Sequence, residues 1–177
     1  VTCTTNTTPL RLANAWDAGI NIEDGTDDPS LLAQKTGAIK AALANAKLDL
    51  FINARSDVFL ANLAEPPHRV EESLRRVSLC ANAGADGMFL PAIVELTDIE
   101  AVVKGTSLPL NVMARTDLAD ADALGRAGVR RLSAGSGIAE VLWGHASALA
   151  RDFLAHGSAR WGRSRATSPR RSFRITT

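Results

Sequence analysis

Asn14–Asp28 reads NAWDAGINIEDGTDD. Within it, Gly19–Gly25, GINIEDG, has the character of a buried strand that ends by presenting two adjacent acids, Glu23 and Asp24. Downstream, PSLLAQKTGAIKAALANA places Leu31, Leu32, Ala38, Ile39, Ala42 and Leu43 at helical spacing. Pro29 and Ser30 mark the start of that helix. An apolar stretch, LDLFINARSD, then ends in polar groups as a second strand.

The same alternation continues to the end of the patterned sequence. PPHRVEESLRRVSLCANAG is the next helix, stopped by Gly84. ADGMFLPAI is a strand, LTDIEAVVKG a short helix with Thr97 or Asp98 as its cap, and LPLNVMA a strand. ADALGRAG is helical, VRRLSAGS a strand, and GIAEVLWGHASALARDFLAHG a long final helix. Strand and helix thus alternate about five times, with strands nearly continuous in apolar residues, the pattern of parallel strands covered on both faces. LRLANAWD, ahead of Ala18, is a further short strand candidate. Such alternation implies a parallel sheet with right-handed crossovers, and either an open sheet or a barrel satisfies it. A closed (β/α)₈ barrel takes about 250 residues, more than this chain of 177 supplies.

Composition narrows the classes. An apolar fraction of 46% suits a globular α/β protein, and the absence of Tyr argues against a surface built on aromatic anchors. Net charge is +1, yet residues 158–177 hold six arginines and no acid, so the body is acidic and the tail basic. The tail is read as a disordered extension rather than a nucleic-acid contact, because its like charges and few apolar groups cannot offset the entropy of ordering. Cys3 and Cys80 form neither a disulfide framework nor a metal cluster, which points to a cytoplasmic setting. No apolar run reaches membrane-spanning length. The first nine residues are Thr-rich and read as a loose leader, and a chain beginning at Val suggests a fragment or an incomplete gene. The domain expectation is a single unit over 1–157 followed by the tail at 158–177.

In a parallel sheet of this kind, functional groups stand at the carboxyl ends of strands. There, Glu23 is the candidate cation ligand, with Asp24 beside it as a second, because hard cations take oxygen donors. Arg55 can clamp a carboxylate or phosphoryl group with its planar fork. Asn53 and Asn111 can donate amide hydrogen bonds to substrate oxygens. Each has a plainer reading: solvated loop acids for Glu23 and Asp24, and a local ion pair for Arg55 with Asp57. Gly135-Ser136-Gly137 is a tight turn before a helix N-terminus, and His68, His145 and His156 lack metal-ligand spacing.

GINIEDG, FINARSDVFL, AGADGMFLPAI, PLNVMA and GVRRLSAGS stand in the order and spacing of the isocitrate lyase/phosphoenolpyruvate mutase superfamily. Residues 18–157 resemble its short phosphonomutase-like and 2-methylisocitrate-lyase-like members. The resemblance implies a (β/α)₈ barrel, a bound Mg²⁺, and chemistry on small 2-oxo or 2-hydroxy carboxylic acids through an enolate-like intermediate, breaking or making a C–C or P–C bond. It implies that Glu23 is the strand-4 acid supporting the Mg²⁺ shell and that Arg55 binds the substrate's anionic group, with Asn53 and Asn111 facing the pocket.

Three departures accompany it. Pro91 stands where the lyases carry Glu and the mutase His. GTDDPS replaces the lyases' catalytic loop, which contains Lys and Cys. LRLANAWD resembles the family's first strand but runs directly into a strand-4 motif, as though about 80 residues bearing the principal Mg²⁺ acids were missing between Asp17 and Ala18, given the length of a complete barrel. The fold expected is therefore α/β, an incomplete TIM-type barrel of five or six parallel strands with outer helices. The function expected is a Mg²⁺-dependent lyase or mutase, impaired in this chain; the alternative is a non-catalytic remnant. Unpaired strand edges lead to an expectation of homo-oligomers or edge-mediated self-association.

Overall fold

A computed structural model of the chain describes residues 18–157. The expected leader, the LRLANAWD strand and the basic tail lie outside the described residues. Five strands follow one another in the sheet: β1 (Gly19–Glu23), β2 (Phe51–Arg55), β3 (Gly87–Leu90), β4 (Leu110–Met113) and β5 (Arg131–Ser133). Between them stand α1 (Pro29–Ala46), a 3₁₀ turn with α2 (Arg69–Asn82), α3 (Leu96–Gly105) and α4 (Ala121–Arg126), and α5 (Gly137–His156) follows β5. The chain divides into two compact units between Gly135 and Ser136, so the sheet with α1–α4 is one and α5 belongs to the other. None of the described helices is long and apolar enough to cross a membrane.

Local chemistry sets the helix ends. The Asp28 carboxylate accepts from the Ser30 N–H at 2.8 Å, and Pro29 occupies the first turn, where its missing N–H is not needed. At the other end Lys47 adopts φ 55°, and the Lys47 and Leu48 N–H groups donate to Ala44 and Leu43 carbonyls in a Schellman closure. Gly84, at φ 94°, turns the chain after α2 as the sequence expects. Thr97 and Asp98 do not cap α3. The residue at its N-cap is Glu95, which makes no side-chain cap bond, and Thr97 and Asp98 sit inside the first turn.

All strand pairs are parallel, and each strand neighbours the next in the chain, β1-β2-β3-β4-β5. The order never reverses. Crossovers of one hand then carry every helix to one face, the winding of a barrel rather than of a doubly wound sheet. Burial agrees: Met88, Leu90, Leu110 and Val112 join Val77, Ile99, Val102 and Leu124 from α2–α4 in one core cluster. The alternate residues point to the other face, and many are polar: Asn21, Glu23, Asn53, Arg55, Asn111 and Arg131, with Phe51, Gly87 and Phe89 among them.

That second face is concave. Ala18–Asn21 of the β1 end, Phe51 of β2 and Arg131 of β5 line one cavity of about 480 Å³. In a flat sheet β1 and β5 would stand roughly 19 Å apart, four strand spacings, so a shared cavity requires the sheet to curl. Over the described residues the fold is a barrel-type sheet of five parallel strands. Gly87 serves the curl locally: a Cβ there would meet the Phe51 ring at 2.8 Å and the Asn53 amide oxygen at 3.1 Å.

Lys47 is exposed and holds a left-handed conformation that a Cβ disfavours by about 1–2 kcal/mol. Replacing it with glycine removes that strain without removing packing, while the freer unfolded chain offsets about 0.5–1 kcal/mol. Lys47→Gly is expected to raise the urea midpoint, by up to about 1 kcal/mol of stability at unchanged m-value.

Candidate functional site

The carboxyl ends of β1, β2 and β3 bring the expected residues together. Glu23 and Arg55 are register partners in the β1–β2 ladder, and Arg55 Nη1 meets the Glu23 carboxylate at 3.0 Å. On its other edge, Arg55 donates from Nε and Nη2 to the two oxygens of Asp57 at 2.8 and 3.1 Å. The guanidinium lies over the Phe89 ring, 5.8 Å from its centre. Residue 89 is the register partner of both Arg55 and Asn111, so Arg55, Phe89 and Asn111 occupy one level of the concave face. The Asp57 hydrogen bonds raise the pKa of Arg55, and burial opposes them without prevailing. The local Arg55–Asp57 pair anticipated as the plainer reading is present: Asp57 takes the Nε–Nη2 edge and Glu23 meets Nη1, while 28% of the Arg55 side-chain surface remains open.

Asn53 lies one level lower and donates to the Asn21 side-chain oxygen at 2.8 Å. Asn111 is 2% exposed, and both its amide atoms are buried without a hydrogen-bond partner. An unsatisfied buried amide is costly and points to a group that completes it.

Glu23 and Asp24 do not work as a pair. Successive residues of a strand point to opposite sides. Glu23 reaches the concave rim; the Asp24 side chain has no exposed surface and meets Arg76 Nη1 of α2 at 2.8 Å. Asp24 also accepts from Ser56 Oγ at 3.2 Å. This corrects the expectation of Asp24 as a second cation ligand at the rim, for its accepting oxygen is held by Arg76 and Ser56. Arg76 Nε in turn donates to Glu72 at 2.7 Å, and Arg75 grips the same carboxylate with two bonds at 2.7 and 2.8 Å. Cys80 sits beside this network; burial first, and the Asp24 charge second, push its thiol up to about 11, so it stays protonated at neutral pH.

Asn21 and Ser56 stand at strand ends without an expected role, and Phe89 and Arg76 are not strand-end polar groups. Arg76 leaves one signal: with Ser73, Val77 and Cys80 it occupies the buried stripe of α2, where an arginine requires a buried acid as partner.

A Mg²⁺ site needs several oxygen ligands. Among the described residues no three His, Cys, Asp or Glu side chains gather to hold a metal ion. Glu23 is one carboxylate at the rim and is already paired with Arg55, so the described residues do not by themselves complete such a site.

Residues 5–154 match the family model described as phosphoenolpyruvate phosphomutase, and the chain belongs to that family. An uncharacterised protein of Mycobacterium tuberculosis is 36% identical over 130 residues, covering 71% of this chain and 47% of its own. An oxaloacetate decarboxylase of Pseudomonas entomophila is 30% identical over 128 residues, 70% of this chain and 44% of its own. This chain therefore spans less than half the length of the curated relatives it matches. A solved structure from Burkholderia cenocepacia, assigned as a phosphonomutase, superposes with a TM-score of 0.76 at 30% identity, over 83% of this chain and 62% of that one. A phosphonopyruvate hydrolase solved with oxalate and Mg²⁺ shares the fold at 21% identity and a TM-score of 0.72, over 93% of this chain and 60% of that one. Family members are lyases and phosphonomutases, and Mg²⁺ occurs among proteins of this fold.

The Glu72 carboxyl, hydrogen-bonded first of all by Arg75 and also by Arg76, titrates at about 2 rather than 4.5. A depressed carboxyl contributes stability that is fully present above its unfolded value and is lost as pH falls through its folded one. Unfolding free energy is therefore expected to decline between pH 4.5 and about 2. Glu72→Gln should flatten that part of the curve, as urea titrations over the window would show.

Proposed function

We propose that this chain carries the anion-binding half of a lyase- or mutase-type site for small 2-oxo or 2-hydroxy carboxylic acids, with Arg55 as the group that takes the substrate's carboxylate or phosphoryl oxygens. One observation supports it above the others: Arg55 stands at the carboxyl rim of a barrel-type sheet, its Nε–Nη2 edge fixed by Asp57 and its Nη1 toward the open concave face and Glu23. Held in that way, the fork loses little freedom when an acid arrives, and charge-assisted hydrogen bonds to it are of the stronger kind. Asn111, with its unpaired buried amide one strand beyond Phe89, would supply a donor and an acceptor for the oxygens of the bound acid. Asn53, bonded to Asn21, forms the floor one level below. The family's lyases and phosphonomutases, and the oxaloacetate decarboxylase among the relatives, give the substrate class its chemistry: a 2-oxo acid whose C–C or P–C bond breaks to leave an enolate-like species.

Such an intermediate develops negative charge, and a bound Mg²⁺ supplies the opposing charge in sites that hold one. Among the described residues the rim carboxylate Glu23 is already paired with Arg55, so Mg²⁺ binding by this chain is weak and turnover is impaired. A second reading, a remnant that binds acids without transforming them, is favoured by the engagement of both acids, Glu23 with Arg55 and Asp24 with Arg76. Among the described residues β1 and β5 each pair on one side only, which supports the proposal that the chain self-associates through its edges.

Titration calorimetry on monodisperse full-length chain, with oxalate and with a small 2-oxo acid in the presence and absence of Mg²⁺, tests these points. Oxalate binding is expected, and Arg55→Met should weaken it by about 10- to 100-fold, the equivalent of a lost charged hydrogen bond. Wild-type affinity in Arg55→Met removes Arg55 from the site. Micromolar Mg²⁺ binding that Glu23→Ala abolishes, together with Mg²⁺-dependent C–C or P–C turnover, overturns the impaired reading.

A further inference from the structure

The ladder between β1 and β2 ends at the Glu23–Arg55 pair. Past that point the two strands are joined by one side-chain junction, and it lies on the helix side of the sheet. Asp24 follows Glu23 and Ser56 follows Arg55. The Asp24 Oδ2 atom accepts from both Ser56 Oγ, at 3.2 Å, and Arg76 Nη1, at 2.8 Å, while Oδ1 is buried and has no partner. Every hydrogen bond of this carboxylate passes through one oxygen, so its orientation depends on Arg76. Arg76 is fixed in turn by Glu72, itself gripped by Arg75. On the far side, the Ser56 N–H donates to the Phe89 carbonyl at 3.0 Å, and the Phe89 ring underlies Arg55.

We propose that Arg76 is a positioning residue for the anion site, acting through Asp24 and Ser56 to set the spacing of Glu23 and Arg55 at the rim. The proposal rests on the reading of Arg55 as the anion-binding group. Arg76 touches no substrate. Its guanidinium orients the Asp24 carboxylate, to which Ser56 Oγ of the neighbouring strand end donates. The neighbouring residues, 23 and 55, point through the sheet to the concave side, so their separation follows. Displacement of a binding group by about 1 Å is enough to weaken recognition by an order of magnitude or more.

The test follows two signals on ¹⁵N-labelled full-length chain at low temperature: the Arg55 Nε–H resonance, assigned with Arg55→Lys, and oxalate affinity by calorimetry. Arg76→Gln is expected to shift the Arg55 resonance and weaken oxalate binding about tenfold. Arg76→Lys, which keeps the charge, should recover most of both, and Ser56→Ala should show a smaller change in the same direction. Ile99→Val, a core change remote from the rim, lowers stability and should move neither signal. An unmoved Arg55 resonance with wild-type oxalate affinity in Arg76→Gln overturns the proposal. If Arg76→Gln does not fold, the same pair of results in Ser56→Ala overturns it. If the wild-type chain binds no oxalate, the anion-site reading falls, and the Arg55 resonance alone decides whether Arg76 positions the rim.

Discussion

The buried contact between Asp24 and Arg76, 2.8 Å long and spanning 52 residues of sequence, is the constraint on which the rim depends. A carboxylate without exposed surface is tolerated only beside a counter-charge, and removing one partner of such a pair costs about 3–5 kcal/mol. The pair thereby locks the end of β1 to α2. Because alternate residues of a strand face opposite ways, locking Asp24 inward toward the helices sends Glu23 outward to the concave face. The two adjacent acids of GINIEDG thus have separate tasks, one in the fold and one at the site.

The same division runs across the sheet. The helix-facing residues of β3 and β4 are apolar and fully buried, and with α2–α4 they form the main core. The concave face is polar: Arg55 stands between Glu23 and Asp57, and the Asn53 amide donates to Asn21. A closed barrel fills its interior with layers of side chains. Here β1 and β5 instead border a cavity of about 480 Å³. The apolar packing thus lies on the helix side of the sheet, and the polar groups lie on the concave side.

The chain belongs to the phosphoenolpyruvate phosphomutase family, and Arg55 and Glu23 meet at its carboxyl rim, with Asn111 on the same level and Asn53 one level below. The donor set explains what is missing from it. Of the acids at the strand ends, Asp57 is held on both oxygens by Arg55, Asp24 is held on one oxygen by Arg76 and Ser56, and Glu23 meets Arg55. Recognition of an acid needs one well-held guanidinium, whereas binding of a hard cation needs several free oxygens. Arg55 is held by Asp57, and no group of metal-binding oxygens gathers among the described residues.

Much of this was legible in the residues themselves. The helices of PSLLAQKTGAIKAALANA and RVEESLRRVSLCANAG, the strands around Asn21, Asn53 and Asn111, and the Arg55–Asp57 pair all follow from local periodicity or from residues two apart, where backbone geometry alone sets the neighbours. The Thr97 or Asp98 cap failed because the helix begins earlier, at Leu96, with Glu95 at the N-cap and no side-chain cap bond. The choice between an open doubly wound sheet and a barrel-type sheet was undecided by alternation, since both use the same strand–helix repeat; the unreversed strand order decided it. Sequence by itself determined which residues end the strands and which chemistry they can perform. Only the tertiary structure decided that Asp24 belongs to Arg76 and Glu23 to Arg55, because the partners of adjacent strand residues lie on opposite faces and far along the chain, 52 residues away for Arg76.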